Sequence, residues 1–178
     1  WTQKTSFSGN ARRVPVAFSI GSFGYAGLGW TGSTAYNDFY RYDPQSDSWT
    51  AISNYPGLGG RNSFGTATQG KGYVGGGASG TGASTLADDF WEYNPQTGNW
   101  TSLGNLPFGP RTAATSFSIQ GQVFVTCGRG GFEDYNDLWA YDPATGNWTQ
   151  KASLPGPARL QASSFVLNGK AIVGGGFE

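Results

Sequence analysis

A chain of 178 residues is long enough for one domain of ordinary size, and its 11 Lys and Arg residues balance its 11 Asp and Glu residues. This balance excludes the basic footprint of a nucleic-acid-binding protein, and no apolar run is long enough to span a membrane. The 30 glycines and the 16% of aromatic residues are typical of short strands joined by tight turns. The lone cysteine, Cys127, excludes an internal disulfide.

The sequence repeats itself with a period of about 50 residues. The dipeptide Trp-Thr marks the repeats and begins at Trp1, Trp49, Trp100 and Trp148. An arginine follows each tryptophan by 11 or 12 residues, and these arginines are Arg12 or Arg13, Arg61, Arg111 and Arg159. Nine or ten residues after the arginine comes a turn glycine, which is Gly21, Gly70, Gly121 or Gly169. We align the arginines with one another and expect each of them to begin the first strand of its repeat. The regularity of Arg61, Arg111 and Arg159 favours a structural hydrogen-bonding role, with a channel-facing ligand role as the alternative.

Each repeat divides into four predicted strands that are separated by turn residues. In the third repeat these strands are 112–119, 122–126, 137–141 and the neighbourhood of Trp148. We place the repeats at about 3–50, 51–101 and 102–149, followed by a half-repeat over 150–178, in one domain that spans 1–178. No segment shows the apolar period of a helix, so the predicted class is all-β.

The repeated phrases resemble kelch repeats along the whole chain. The resemblance is carried by a glycine doublet after the second strand, by the Tyr-Asp-Pro phrase at Tyr42 and Tyr141, and by the tryptophan that follows that proline. The segment 89–101 is most similar to bacterial secreted or surface kelch proteins. The resemblance implies a kelch-type β-propeller, in which each repeat forms a blade of four antiparallel strands.

We expect the repeated residues to build the fold. Large rings fill the space between stacked blades, and each ring buries on the order of 150–250 Å². The glycines of the doublet let a neighbouring ring or backbone approach closely. The residues assigned to this structural role are Tyr42, Trp49, Gly76, Tyr93, Trp100, Tyr141, Trp148 and Gly175. Cys127 lies at a doublet position, where a small, buried and inert thiol is expected.

Three full repeats and a half-repeat do not complete a ring of about four to eight blades. We therefore expect an incomplete ring. The chain is then either a segment of a larger propeller or a unit that completes a ring or an open array with further copies of itself. Exposed sheet edges at both ends invite pairing with another chain.

The sequence offers little catalytic chemistry. Without histidine there is no Ser-His-Asp triad, no Cys-His pair and no histidine-ligated metal site. The adjacent carboxylates of Asp88 and Asp89 point to opposite faces of a strand, which disfavours them as a glycosidase pair. The loop 131–137 is rich in oxygen ligands and is an alternative calcium site, although a solvated loop is the simpler interpretation. We predict no catalytic residue, no metal ligand and no cofactor.

Ligand-binding candidates come from the loops that vary between repeats. In kelch proteins the loops between the second and third strands share one face with the loops between blades, and this face commonly binds ligands. By this resemblance the candidates are Trp30, Tyr36, Tyr55, Phe108, Arg129, Phe132 and Tyr135. Aromatic and arginine side chains are frequent anchors of interfaces.

The predicted function is a non-catalytic interaction or scaffold module, extracellular or at the cell surface, that binds a protein partner or assembles with further copies of itself. A carbohydrate-binding propeller is the first alternative, because stacked aromatic rings suit a sugar. A carboxylate-dependent glycoside hydrolase is the second, and it requires two carboxyl groups that face each other in a pocket. No nucleic acid partner is expected.

Overall fold

The computed structural model describes residues 1–80 and 85–178, in which the regular structure is antiparallel β-sheet. We call each four-stranded sheet a blade. The first blade contains β1 (Val16–Ile20), β2 (Phe23–Gly27), β3 (Phe39–Asp43) and β4 (Ser48–Ile52). The second blade contains β5 (Phe64–Thr68), β6 (Lys71–Gly75), β7 (Asp89–Asn94) and β8 (Asn99–Asn105).

The third blade begins with β9 (Thr115–Ile119) and β10 (Gln122–Thr126). A small hairpin follows, with β11 (Arg129–Gly130) and β12 (Glu133–Asp134), before the blade ends with β13 (Leu138–Asp142) and β14 (Asn147–Lys151). The last sheet contains β15 (Ser163–Leu167) and β16 (Lys170–Gly174). Three blades and a two-stranded sheet confirm the predicted all-β architecture. In the residues that the structure describes, no helix could cross a bilayer.

The first strands of successive sheets, β1, β5, β9 and β15, lie side by side and are here called the inner strands. Side-chain hydroxyls join them across the blade boundaries. The hydroxyl of Ser118 donates to the carbonyl of Ala67 at 2.8 Å, and the hydroxyl of Ser164 donates to the carbonyl of Ser116 at 3.0 Å. The inner strands line an open cavity of about 300 Å³ with mostly small side chains. This cavity is the channel of the molecule.

Aromatic pairs between the third and fourth strands hold the blades together. Tyr42 lies opposite Trp49, Tyr93 opposite Trp100 and Tyr141 opposite Trp148. The ring centroids of these pairs are 5.0, 5.0 and 5.2 Å apart. Rings from one blade also meet rings from the next, since Tyr25 contacts Tyr93 and Tyr73 contacts Tyr141. The predicted structural role of the repeated rings agrees with this packing.

The glycine doublet has one position that accepts a side chain and one that does not. The first position is occupied by Leu28, Gly76, Cys127 and Gly175, all with positive φ. The second is glycine in all four repeats, at Gly29, Gly77, Gly128 and Gly176, with φ between 88° and 96°. A Cβ on Gly128 would lie 2.8 Å from the backbone nitrogen of Ala114 and from the backbone oxygen of Thr112. Backbone contact therefore requires glycine at the second position.

Candidate functional site

One face of the molecule carries both kinds of variable loop. The segment before each first strand forms an isolated antiparallel bridge with the segment after the second strand of the same repeat. These bridges join Arg13 to Trp30, Arg61 to Ala78, Thr112 to Arg129 and Leu160 to Phe177. We call this surface the loop face. The channel opens onto it where the inner strands begin.

The arginines that the sequence aligned fall into two sets. Arg12, Arg111 and Arg159 lie four residues before the first strand of their repeat, whereas Arg13 and Arg61 lie three residues before it. Strand periodicity and the bridges point the two sets in different directions. The alignment of Arg61 with Arg111 was therefore wrong, and Arg61 is equivalent to Arg13.

The first set is structural. Arg111 is 1% exposed, and its two terminal nitrogens donate to the carboxylate of Asp137 at 2.5 and 3.0 Å. Its guanidinium also lies 4.2 Å from the ring centroid of Tyr135. Arg12 repeats the arrangement with Asp38 in the first blade, where its hydrogen bonds hold the pKa of that carboxyl below its usual value. Arg12 and Arg111 thus tie the loop face to the residues that directly precede the third strands.

In the second blade the equivalent carboxylate, that of Asp89, is held without an arginine. Gly60 occupies the equivalent position, and the carboxylate of Asp89 accepts a hydrogen bond from the backbone nitrogen of Leu58 at 2.8 Å. The indole nitrogen of Trp91 donates to the same oxygen at 3.0 Å, as Trp139 does to Asp137 at 2.9 Å. A backbone N–H from a glycine-rich loop thus replaces a guanidinium.

The second set of arginines surrounds Trp30 at the end of the channel. The guanidinium carbons of Arg13 and Arg61 lie 4.2 and 5.1 Å from the Trp30 ring centroid. A cavity of about 230 Å³ is lined by both arginines, Trp30, Val14, Asn62 and Gln161. We call Arg13, Trp30, Arg61, Asn62 and Gln161 the mouth cluster. It combines residues from three repeats, so it exists only when the blades are assembled.

The mouth cluster offers the chemistry of an anion site with an aromatic wall. Among residues 1–80 and 85–178, Arg13 has no ion-pair partner. The Nε1 of Trp30 is buried and has no hydrogen-bond partner in the described part of the chain. Two guanidinium groups bind a carboxylate or phosphate through charge-assisted hydrogen bonds, and the amides of Asn62 and Gln161 both donate and accept.

The structure separates the seven residues predicted from the loops. Trp30 belongs to the mouth cluster. Tyr36 and Tyr135 are half-buried, and each ring lies 4.2 Å from a structural guanidinium, that of Arg12 or Arg111. These two tyrosines therefore pack against the structural arginines and are not part of the mouth cluster.

The other four candidates lie apart from the mouth cluster. Tyr55 is 1% exposed and packs on Trp100 in the core, and burial raises the pKa of its phenol, so its ring is not available to a ligand. Phe108 packs against Trp148. Arg129 is held by Asp134 through two bonds of 2.6 and 2.8 Å. Phe132, at the tip of the β11–β12 hairpin, is fully exposed.

Sequence reasoning missed three members of the mouth cluster, namely Arg13, Asn62 and Gln161, and it gave Arg61 a ligand role only as the alternative to a structural one. One signal for the arginines was present. Arg61 precedes its turn glycine, Gly70, by nine residues, whereas Arg111 precedes Gly121 by ten. In a strand a shift of one residue turns the side chain to the other face. The difference between nine and ten therefore separates Arg61 from Arg111. In the first blade the glycine occupies the first position of the turn, at Gly21, so the same count does not separate Arg12 from Arg13.

The loop 131–137 does not assemble a calcium site. Its carboxylates Asp134 and Asp137 are engaged by Arg129 and Arg111. Over the described ranges, no group of three or more Asp, Glu, Cys or His side chains could hold a metal ion.

Cys127 is fully buried at the first doublet position, and burial raises the pKa of its thiol. Because the thiolate is the reactive form, we expect no reaction of the native protein with a maleimide at neutral pH. The unfolded protein in urea should react completely, as measured by the mass of the intact chain. Rapid labelling of the native protein would contradict the buried position.

Comparisons with known proteins agree with this architecture. The solved structure of YjhT superposes with a TM-score of 0.84 over 99% of this chain and 62% of that chain, at 19% identity. The fold is that of a kelch-type β-propeller. No family model matches the propeller chain.

Two curated relatives are enzymes by name. The N-acetylneuraminate epimerase of Yersinia enterocolitica is 35% identical over 128 residues, which is 61% of this chain and 31% of the relative. The N-acetylneuraminate epimerase of Pasteurella multocida is 32% identical over 102 residues, which is 56% of this chain and 26% of the relative. The propeller chain thus spans about a third or less of the length of these relatives.

These relatives contradict the prediction of a non-catalytic interaction module. The prediction rested on the lack of histidine and of a facing carboxylate pair. That lack excludes only the reactions that need such groups, and it does not exclude an epimerase.

Proposed function

We propose that this propeller chain contributes the substrate site of an enzyme that epimerises N-acetylneuraminate. The observation that carries the proposal is the pair of arginines beside Trp30. The guanidinium carbons of Arg13 and Arg61 lie 4.2 and 5.1 Å from the Trp30 ring centroid. N-acetylneuraminate is a sugar acid with one carboxylate, an N-acetyl group and several hydroxyls. The names of the two relatives supply the reaction class.

Each member of the mouth cluster has a group that suits part of this substrate. The guanidinium groups of Arg13 and Arg61 bind the carboxylate, because the planar fork of arginine matches two carboxylate oxygens. The indole of Trp30 covers an apolar face of the sugar, and its buried Nε1 donates to an oxygen of the ligand. The amides of Asn62 and Gln161 bind hydroxyls.

The mouth cluster contributes to catalysis by orienting the substrate. A carboxylate held at two points fixes the sugar ring in one position over the channel. An enzyme that inverts one carbon needs this fixed position, because a catalytic group acts only on an atom within its reach. The mouth cluster therefore binds and orients the substrate.

The test is the exchange between epimers of N-acetylneuraminate, followed by proton NMR with and without the protein. We expect the protein to accelerate the exchange, and Arg61→Ala to lower kcat/KM by roughly tenfold or more, because a hydrogen bond to a charged group contributes about 1.5–3 kcal/mol. Arg13→Ala should have an effect of similar size. Arg129→Ala is the matched control, because Arg129 lies on the same face but outside the mouth cluster.

Two results would overturn the proposal. One is a native protein that neither accelerates the exchange nor binds N-acetylneuraminate. The other is an Arg129→Ala variant that loses as much activity as Arg61→Ala, since this would place the substrate away from the mouth cluster.

A further inference from the structure

The turn between the first and second strands is chemically different in the last sheet. In the second and third blades this turn is Gln69-Gly70 and Gln120-Gly121, and in the last sheet it is Asn168-Gly169. In each turn both residues have positive φ, with 50° and 71° at Asn168 and Gly169. This is the conformation of a two-residue type I′ hairpin turn. The backbone is the same, and only the amide side chain differs.

An Asn-Gly pair can modify itself. The backbone nitrogen of the glycine loses its proton to hydroxide and attacks Cγ of the asparagine. A new bond forms between that nitrogen and Cγ, the bond from Cγ to the side-chain nitrogen breaks, and ammonia leaves. Water then opens the five-membered imide at either carbonyl, which yields aspartate or isoaspartate. Glutamine is longer by one methylene, so the same attack must close a six-membered ring and is much slower.

The structure leaves this reaction unobstructed at Asn168. Both residues of the turn are exposed, and a Cβ built on Gly169 would meet nothing within 4 Å. An exposed turn with few side-chain contacts opens locally at small cost. Local opening lets the glycine nitrogen reach Cγ.

We propose that Asn168 is a site of spontaneous deamidation. The product carries a new negative charge beside Lys170. Isoaspartate also adds one atom to the backbone of a two-residue turn, and the pairing of Leu167 with Lys170 depends on the length of that turn. Modification therefore shifts or opens the β15–β16 hairpin. This inference is independent of the proposed enzymatic function.

The test is incubation of the folded full chain at mildly alkaline pH, followed by peptide mapping with mass spectrometry. We expect loss of the side-chain amide at Asn168, with aspartate and isoaspartate as separate products. Gln69 and Gln120 should keep their amides and serve as internal controls in equivalent turns. Asn168→Gln should abolish the conversion, and this variant should fold because glutamine already occupies the same turn in two blades.

Three results would overturn the proposal. The first is conversion at Asn168 that is no faster than at the exposed residues Asn99 and Asn147, which precede tryptophan. The second is conversion in urea but not in the folded protein, because the fold would then protect the turn. The third is a product mixture without isoaspartate, which would exclude the cyclic intermediate.

Discussion

Arg111→Met should lower the free energy of unfolding by about 3–5 kcal/mol, because it leaves a largely buried carboxylate without its partner. Arg111 is 1% exposed and donates both terminal nitrogens to Asp137. It also donates to the backbone oxygen of Cys127 at 3.2 Å. Methionine keeps much of the side-chain volume, so the loss measures the missing charge and hydrogen bonds. The measurement is urea denaturation followed by tryptophan fluorescence.

The matched control is Arg129→Met. Arg129 and Asp134 form an ion pair of comparable length, at 2.6 Å, but the arginine side chain is 44% exposed. Exposed ion pairs contribute little because water and salt screen them. The urea midpoint of this variant should stay close to that of the unmodified protein. Equal losses in the two variants would refute the structural role of the buried set.

Gly128→Ala should destabilise the fold by about 2 kcal/mol or more, because strained backbone and close contact combine at one residue. Gly128 has a φ of 91°, which a residue with a side chain rarely adopts. The added Cβ would also lie 2.8 Å from two backbone atoms of the neighbouring segment. Relief of that contact moves the backbone that donates from Gly128 to the carbonyl of Arg159 in the next sheet, a bond of 2.8 Å. The measurement is again the urea midpoint.

Gly146→Ala separates the two causes. Gly146 also has a positive φ, at 72°, but a Cβ there would meet nothing within 4 Å. Only the conformational cost remains, which is about 1 kcal/mol. If both variants lose the same stability, backbone conformation alone explains why glycine recurs at the second doublet position of every repeat, and the close approach is unimportant.

The repeat made most of the architecture predictable. The period and the turn residues located the strands to within a few residues. Tyr42 and Trp49, which were expected to pack in the core, lie opposite each other on neighbouring strands. The first strand of the third blade begins at Thr115 and not at residue 112, because Ala113 turns the chain with a φ of 57°. Local sequence patterns predict the strands, but they do not show where a residue other than glycine adopts a left-handed backbone conformation.

The candidate site was less predictable for two physical reasons. Arg12 and Arg13 are adjacent, so composition alone does not show which of them is equivalent to Arg61, and the answer depends on strand register. The mouth cluster also joins residues that are about a hundred positions apart, such as Arg61 and Gln161. The reaction itself cannot be derived from the fold, because one fold supports many functions.

The bridge that joins each blade-entry segment to the loop after the second strand has an evolutionary consequence. Arg13, Arg61, Thr112 and Leu160 lie at equivalent positions, and backbone hydrogen bonds hold the main chain at each of them in place. A basic, a hydroxyl or an aliphatic side chain therefore fits the same scaffold. Duplication of a repeat supplies one more such position on the loop face. A point substitution then changes the side chain at that position without altering the blade. Selection can therefore change the ligand preference of such a propeller one blade at a time.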